Sequence, residues 1–191
     1  MVALPEMRTL VERADAHRHV LEGLIASVPE DYWDRQAPDD AWTALDHMRH
    51  VATVDRMVVE LLEAAERPEE ELWAGGVRDE AALEARRVEL MDGVRAQDIH
   101  ELVATMRESR EAVVAALLAV RVETLEREVR VAGVLTPWGE PHASSLRTHL
   151  TGWAGQHDGE HEAAIRRAIE TPPDVTALTL AARRARGNRS R

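Results

Sequence analysis

His157-Asp158-Gly159-Glu160-His161 is the stretch on which the reading of this chain turns, together with the distant Trp42-Thr43-Ala44-Leu45-Asp46-His47-Met48-Arg49-His50. At about 100° per residue, a helix through the first stretch puts Leu146, Leu150, Trp153, His157, His161, Ala164 and Ala168 on one side. Gly152, Gly155 and Gly159 fall on the roughly opposite side. Two imidazoles one turn apart therefore occupy positions where apolar residues are expected. Facing a core without partners, each costs on the order of 1–3 kcal/mol. A divalent metal would satisfy both, with a third histidine brought in by a neighbouring helix and one position left open. Bonds to backbone carbonyls or water are the alternative.

The third histidine comes from the second stretch. His47 and His50 both lie on the inward stripe formed by Val51, Val54, Met57, Val58, Leu61 and Leu62, and geometry does not choose between them. His149 is two turns before His157, about 12 Å along the axis, too far to share an ion. His17 suits a core position or one that supports a ligand. His19, His100 and His142 read as surface residues. The three glycines each cost about 1 kcal/mol of helix propensity against Ala, which close packing against another helix or a second subunit would explain.

Outward from these stretches the chain reads as helices. One runs from about Pro5 to Val28, one from Trp42 to Glu66, and a highly charged one from Asp79 to Arg95. Another begins at Asp98, a capping-box start with Glu101, and continues to Val120. The last runs from Ser144 to Glu170, stopped by Pro172-Pro173. Val129–Leu135 alternates weakly, as a short strand or an extended crossover, and Thr136–Pro141 reads as a loop. The fold class is all-α: an up-down-type four-helix bundle with a long crossover connection. Residues 1–171 form one domain carrying an insert at about 68–95, and 172–191 form an Arg-rich, flexible tail.

Composition narrows the chemistry. The net charge is −11 and the pI about 5.3, which argues against general nucleic-acid binding. With no Cys there is no disulfide, thiolate ligand or cysteine nucleophile. All 24 basic residues are Arg, so Schiff-base chemistry is excluded. There is no Gly-rich phosphate loop and no Gly-x-Ser-x-Gly elbow. No apolar run approaches the roughly 20 residues that span a bilayer, and Met1-Val2-Ala3-Leu4-Pro5-Glu6 does not resemble a secretory signal. The expected location is cytoplasmic, with no membrane or nucleic-acid partner.

From Pro5 to Glu170 the chain resembles the DinB-like superfamily of metal-binding four-helix bundles. The residues that carry the likeness are Asp31-Tyr32-Trp33, Trp42-Thr43 followed by His50, and the HxxxH of His157 and His161. In that family the first ligand lies eight residues after the Trp, so the resemblance implies His50, rather than His47, with His157 and His161 as the metal set. It also implies Zn, Ni or Fe as the ion, a homodimer, and activities such as thiol-dependent S-transfer or maleylpyruvate isomerisation. The charged insert and the Arg-rich tail depart from the typical member.

A dipositive ion on three neutral imidazoles can lower the pKa of a bound water toward about 7 or bind a thiol as thiolate. A thiol would have to come from a cosubstrate, since the chain has none. The expected function is thus a metal-dependent enzyme, a low-molecular-weight-thiol S-transferase or, as a lesser alternative, a metal-dependent hydrolase. A non-catalytic metal-binding, stress-response or interaction bundle is the other reading. Glu160 is the candidate acid–base residue. Asp158 could serve as base or ligand orienter, although solvation at the surface is the simpler expectation. Arg49 and Arg147 could meet an anionic cosubstrate, or simply cover the exterior. The stretch also fits the H-x-x-E-H of inverzincin peptidases, but only Glu162, Glu170 and Asp174 follow His161, and none is well placed as their acidic ligand.

Overall fold

In the computed structural model, residues 4–172 are described. Four long helices build the bundle: α1 (Pro5–Ser27), α2 (Ala44–Ala65), α4 (Ile99–Ala119) and α6 (Leu146–Glu170). A shorter α3 (Glu80–Gly93) and a single turn, α5 (Val122–Leu125), lie between them. Local chemistry sets the starts. Asp98 caps α4 in a capping box with Glu101, as the sequence predicts, and Thr43 caps α2 in the same way with Asp46. Ser145 caps α6. The expectation for the Arg-rich tail falls outside the described residues.

Each of α1 and α2 packs on both α4 and α6, so α1 and α2 sit at opposite corners. Two apolar clusters fill the interior. One joins the start of α1 (Met7, Leu10), the end of α2 (Leu61, Leu62), the end of α4 (Val113, Leu117) and the start of α6 (Leu146, Leu150). The other joins Leu21 and Leu24, Met48 and Val51, Leu102 and Met106, and Ile165 and Ala168. Helices α1 and α6 are therefore parallel neighbours, and so are α2 and α4, with the two pairs antiparallel to each other. Parallel neighbours cannot be joined by a tight turn. The charged stretch read from sequence as an insert is the return path that this topology requires: it carries the chain from the end of α2 back to the start of α4.

A small sheet accompanies the helices, a feature the all-α reading did not include. β1 (Leu72–Trp73) pairs in parallel with β2 (Glu128–Leu135), which pairs antiparallel with β3 (Pro141–Ser145). Val129–Leu135 is thus a strand. Pro141–Ser145 gives no hydrophobic alternation and escaped the sequence reading. Gly139 turns the hairpin with φ of 82°. Leu72 and Val129 are buried against the first apolar cluster. The Arg127 guanidinium donates to the carbonyls of Ala65 and Arg67, free acceptors at the end of α2, and so pins β2 to that helix. Among the described residues no helix is long and apolar enough to cross a membrane.

Candidate metal centre

His50, His157 and His161 each offer a ring nitrogen, and these three atoms lie within 4.8 Å of one another. His50 comes from α2, two turns after its capping box; His157 and His161 come from adjacent turns of α6. The Thr43–Asp46 box fixes where α2 begins, and thereby its phase, so that His50 turns inward. Trp42, just ahead of the cap, lays its indole against the rings of His47, His50 and His161, with centroids 5.3, 5.1 and 6.1 Å away. The Trp-Thr pair thus combines a packing wall with a helix start.

The donor set fits a divalent ion. His50 Nε2 and His157 Nε2 are 3.1 Å apart. Two imidazole nitrogens on one tetrahedral Zn at about 2.0–2.1 Å would stand roughly 3.3 Å from each other. Ligation needs unprotonated nitrogens. Burial, reinforced by the neighbouring His157 and His161, pushes the His50 pKa down to about 2. Burial, then His157 and His47, lowers that of His161 to about 3. Both are neutral imidazoles near pH 7.

Behind His157 lies a cluster that the sequence reading missed. Arg18 of α1, Asp55 of α2, Arg110 of α4 and Asp158 of α6 meet in the bundle interior, between the two apolar clusters. Arg18 makes a two-pronged contact with Asp158, Nε to Oδ2 at 2.8 Å and Nη2 to Oδ1 at 3.2 Å. Arg110 reaches Asp55 at 2.9 Å and Asp158 at 3.0 Å. Arg18 also donates to Asp55 at 3.3 Å and to the Met106 carbonyl at 3.2 Å. Burial alone would raise the Asp158 pKa, but hydrogen bonds from His157 and Arg18 and the charges of both arginines hold it below the usual carboxylate range. Burial raises that of Asp55 against the pull of Arg110 and Arg18. The expectation that Asp158 is solvated at the surface is therefore corrected. Its Oδ1 also lies 3.5 Å from His157 Nδ1, so the carboxylate faces the nitrogen turned away from His50.

A cavity of about 400 Å³ opens beside His50 and His157. Val54, Met57, Leu61, Leu83 and Val131 give it apolar walls, and Glu160 and Arg87 add charge. Glu160 is exposed and borders this cavity, whereas Asp158 is locked in the ion cluster. Arg87, unremarked in the sequence, is the cation here. The arginines singled out from sequence are engaged elsewhere: Arg49 with Asp46 and the Arg95 carbonyl, Arg147 with Glu126 and Glu6. His149 borders the cavity too, and burial lowers its pKa. His19, His100 and His142 are exposed, as expected. A Cβ on Gly155 or Gly159 would meet Arg13 or His17 of α1, so these two glycines pack on a helix of the same chain. Glu162 pairs with Arg166 one turn further along α6. Asp31-Tyr32-Trp33 is structural: Trp33 is buried in the second apolar cluster and its carbonyl accepts from Leu45 N–H.

Residues 13–165 match the DinB superfamily. The chain belongs to that superfamily. Solved structures agree on the fold. A mutant of the mycothiol-dependent maleylpyruvate isomerase superposes with a TM-score of 0.63 at 15% identity, over 85% of this chain and 61% of that one. The isomerase without that mutation gives a TM-score of 0.61 over the same shares, again at 15% identity. An uncharacterised protein from Clostridium difficile 630 gives 0.64 at 11% identity, over 86% of this chain and 95% of its own. The chain spans about three-fifths of the isomerase's length. A search of curated proteins finds no match.

Proposed function

We propose that this protein is a metal-dependent enzyme that holds Zn, Ni or Fe on His50, His157 and His161 and acts on a small molecule together with a low-molecular-weight thiol. The convergence of three imidazoles, two of which line a cavity, carries this reading. A bound divalent ion would supply Lewis acidity and stabilise a thiolate at neutral pH. The residues do the rest. Burial keeps His50 and His161 neutral, the form that ligates a metal, and Asp158 steadies His157 from behind. Val54, Met57, Leu61 and Leu83 exclude water from the substrate's apolar part, and Glu160 at the rim is placed to move a proton. The thiol is external because the chain has no Cys. The mycothiol dependence of the isomerase with the similar fold supports a thiol-using chemistry, S-transfer foremost.

Elemental analysis of untagged protein, beside His50→Ala, tests the reading. One metal per chain, lost in the variant, is expected, followed by consumption of thiol when an electrophile is added. No metal in either sample after reconstitution would overturn it.

A further inference from the structure

His47 is the histidine that the ligand set leaves over. It is only 5% exposed and lies one turn before His50, yet both its nitrogens are engaged. Nε2 is 3.0 Å from Asp40 Oδ2, and Nδ1 is 3.0 Å from Nδ1 of His161. A carboxylate only accepts, so the His47 proton sits on Nε2. With one proton per ring, His47 Nδ1 is then a lone pair, and the 3.0 Å contact forms only if His161 Nδ1–H donates to it. That assignment leaves the His161 lone pair on Nε2. Asp40 is itself held in place: its Oδ1 accepts from the Trp42 N–H at 2.9 Å.

We propose that Asp40 and His47 are positioning residues for His161, forming a carboxylate–imidazole–imidazole chain that fixes its tautomer and ring plane so that Nε2 is the nitrogen offered to a metal. The proposal rests on the metal-site reading above. It gives His47 a task that neither core packing nor direct ligation supplies. The indole of Trp42 packs against both His47 and His161. Orienting partners of this kind typically raise metal affinity by 10–100-fold.

Two measurements decide it. In metal-free wild-type protein, ¹⁵N NMR of the imidazoles should show His161 protonated on Nδ1 and bare on Nε2, and His47 the reverse. Zinc competition against a chromophoric chelator should then show H47L binding on the order of 10–100-fold more weakly. H47N, which keeps an acceptor oxygen near the Nδ1 position, should recover most of the affinity. A His161 proton on Nε2 in the metal-free protein, or a folded H47L that binds zinc as tightly as wild type, would overturn the proposal. Should wild type bind no zinc at all, the metal reading falls and the tautomer measurement alone decides this one. If H47L fails to fold, the wild-type spectra still do.

Discussion

Arg18, Asp55, Arg110 and Asp158 are buried as deeply as His50, and the two polar groups touch through the His157–Asp158 contact. Their construction is opposite. The ion cluster contains two positive and two negative groups that answer one another, and Asp55 has no exposed surface at all. The histidine cluster brings His50 Nε2 and His157 Nε2 within 3.1 Å of each other, beside an open cavity. The first is balanced in charge within the protein, although Asp55 Oδ1 and Arg110 Nη1 have no hydrogen-bond partner among the described residues; the second gathers ring nitrogens of one kind that could hold a metal ion. Burial depth alone therefore does not mark the functional group. What sets the histidine group apart is three ring nitrogens converging within 4.8 Å of one another.

The sharpest test of this contrast is to remove a member of the ion cluster. Asp158→Ala leaves two buried guanidinium groups sharing Asp55 alone and should cost about 3–5 kcal/mol in urea unfolding of the metal-free protein. A loss below about 1 kcal/mol would show that water reaches these arginines. The matching test on the other side adds a metal. Zinc at 100 times its Kd should stabilise wild type by about 2.7 kcal/mol, and His161→Ala should remain folded but gain almost nothing. Equal stabilisation of both proteins would sink the ligand assignment.

Acid should separate the clusters as well. The folded pKa values of His50 and His161, about 2 and about 3, lie below the ordinary 6.5, so the unfolded chain takes up protons first as pH falls. Their stability contribution is complete above 6.5 and erodes below it, by roughly 1–2 kcal/mol in total between pH 6.5 and 5.5. Asp158 has the same sense in a lower window: its folded pKa is depressed, so its contribution is complete above the ordinary 3.8 and fades only below that. Denaturant midpoints of metal-free protein from pH 8 to 4 should therefore begin to fall near pH 6.5. A midpoint flat down to pH 4 would contradict neutral burial of the histidines. The smallest effect is expected at Gly152, where a Cβ meets nothing within 4 Å. Gly152→Ala should add up to about 1 kcal/mol to the thermal stability through helix propensity alone. Destabilisation there would mean that the cavity wall is tighter than its geometry indicates.

Much of this architecture was legible in the sequence because it is local. The helix starts at Thr43 and Asp98 rest on residues three apart, and His157 and His161 share a face by periodicity. The choice between His47 and His50 was not local. Both face inward, and it is Asp40 and His161 that engage both nitrogens of the one and leave the other to the cluster. The ion cluster joins residues 37 to 140 positions apart, so no window contains it. It still left a trace: Arg18, Asp55, Arg110 and Asp158 each sit on an apolar stripe, between Ala14 and Leu21, Val51 and Val58, Met106 and Val113, and Ala154 and Ile165. Two positive and two negative misfits should have been matched with each other. The sheet was hidden for a similar reason: β1 has two residues, and its partner lies 57 positions away.

The cavity draws its walls from separate parts of the chain. His50 and His157 stand on the two bundle helices α2 and α6, whereas Gly75, Leu83 and Arg87 come from the return path between α2 and α4, and Val131 from β2. Gly75 has a φ of 74°, and a Cβ there would collide with Leu83 and Met57, so that wall is set by its own turn rather than by the imidazoles. The imidazoles and this wall consequently belong to different segments. Exchanging residues 72–93 for another sequence that makes the same parallel strand and helix would re-tool the entrance and leave the donor atoms where they are. One scaffold could in this way be re-addressed to new molecules without redesigning its centre.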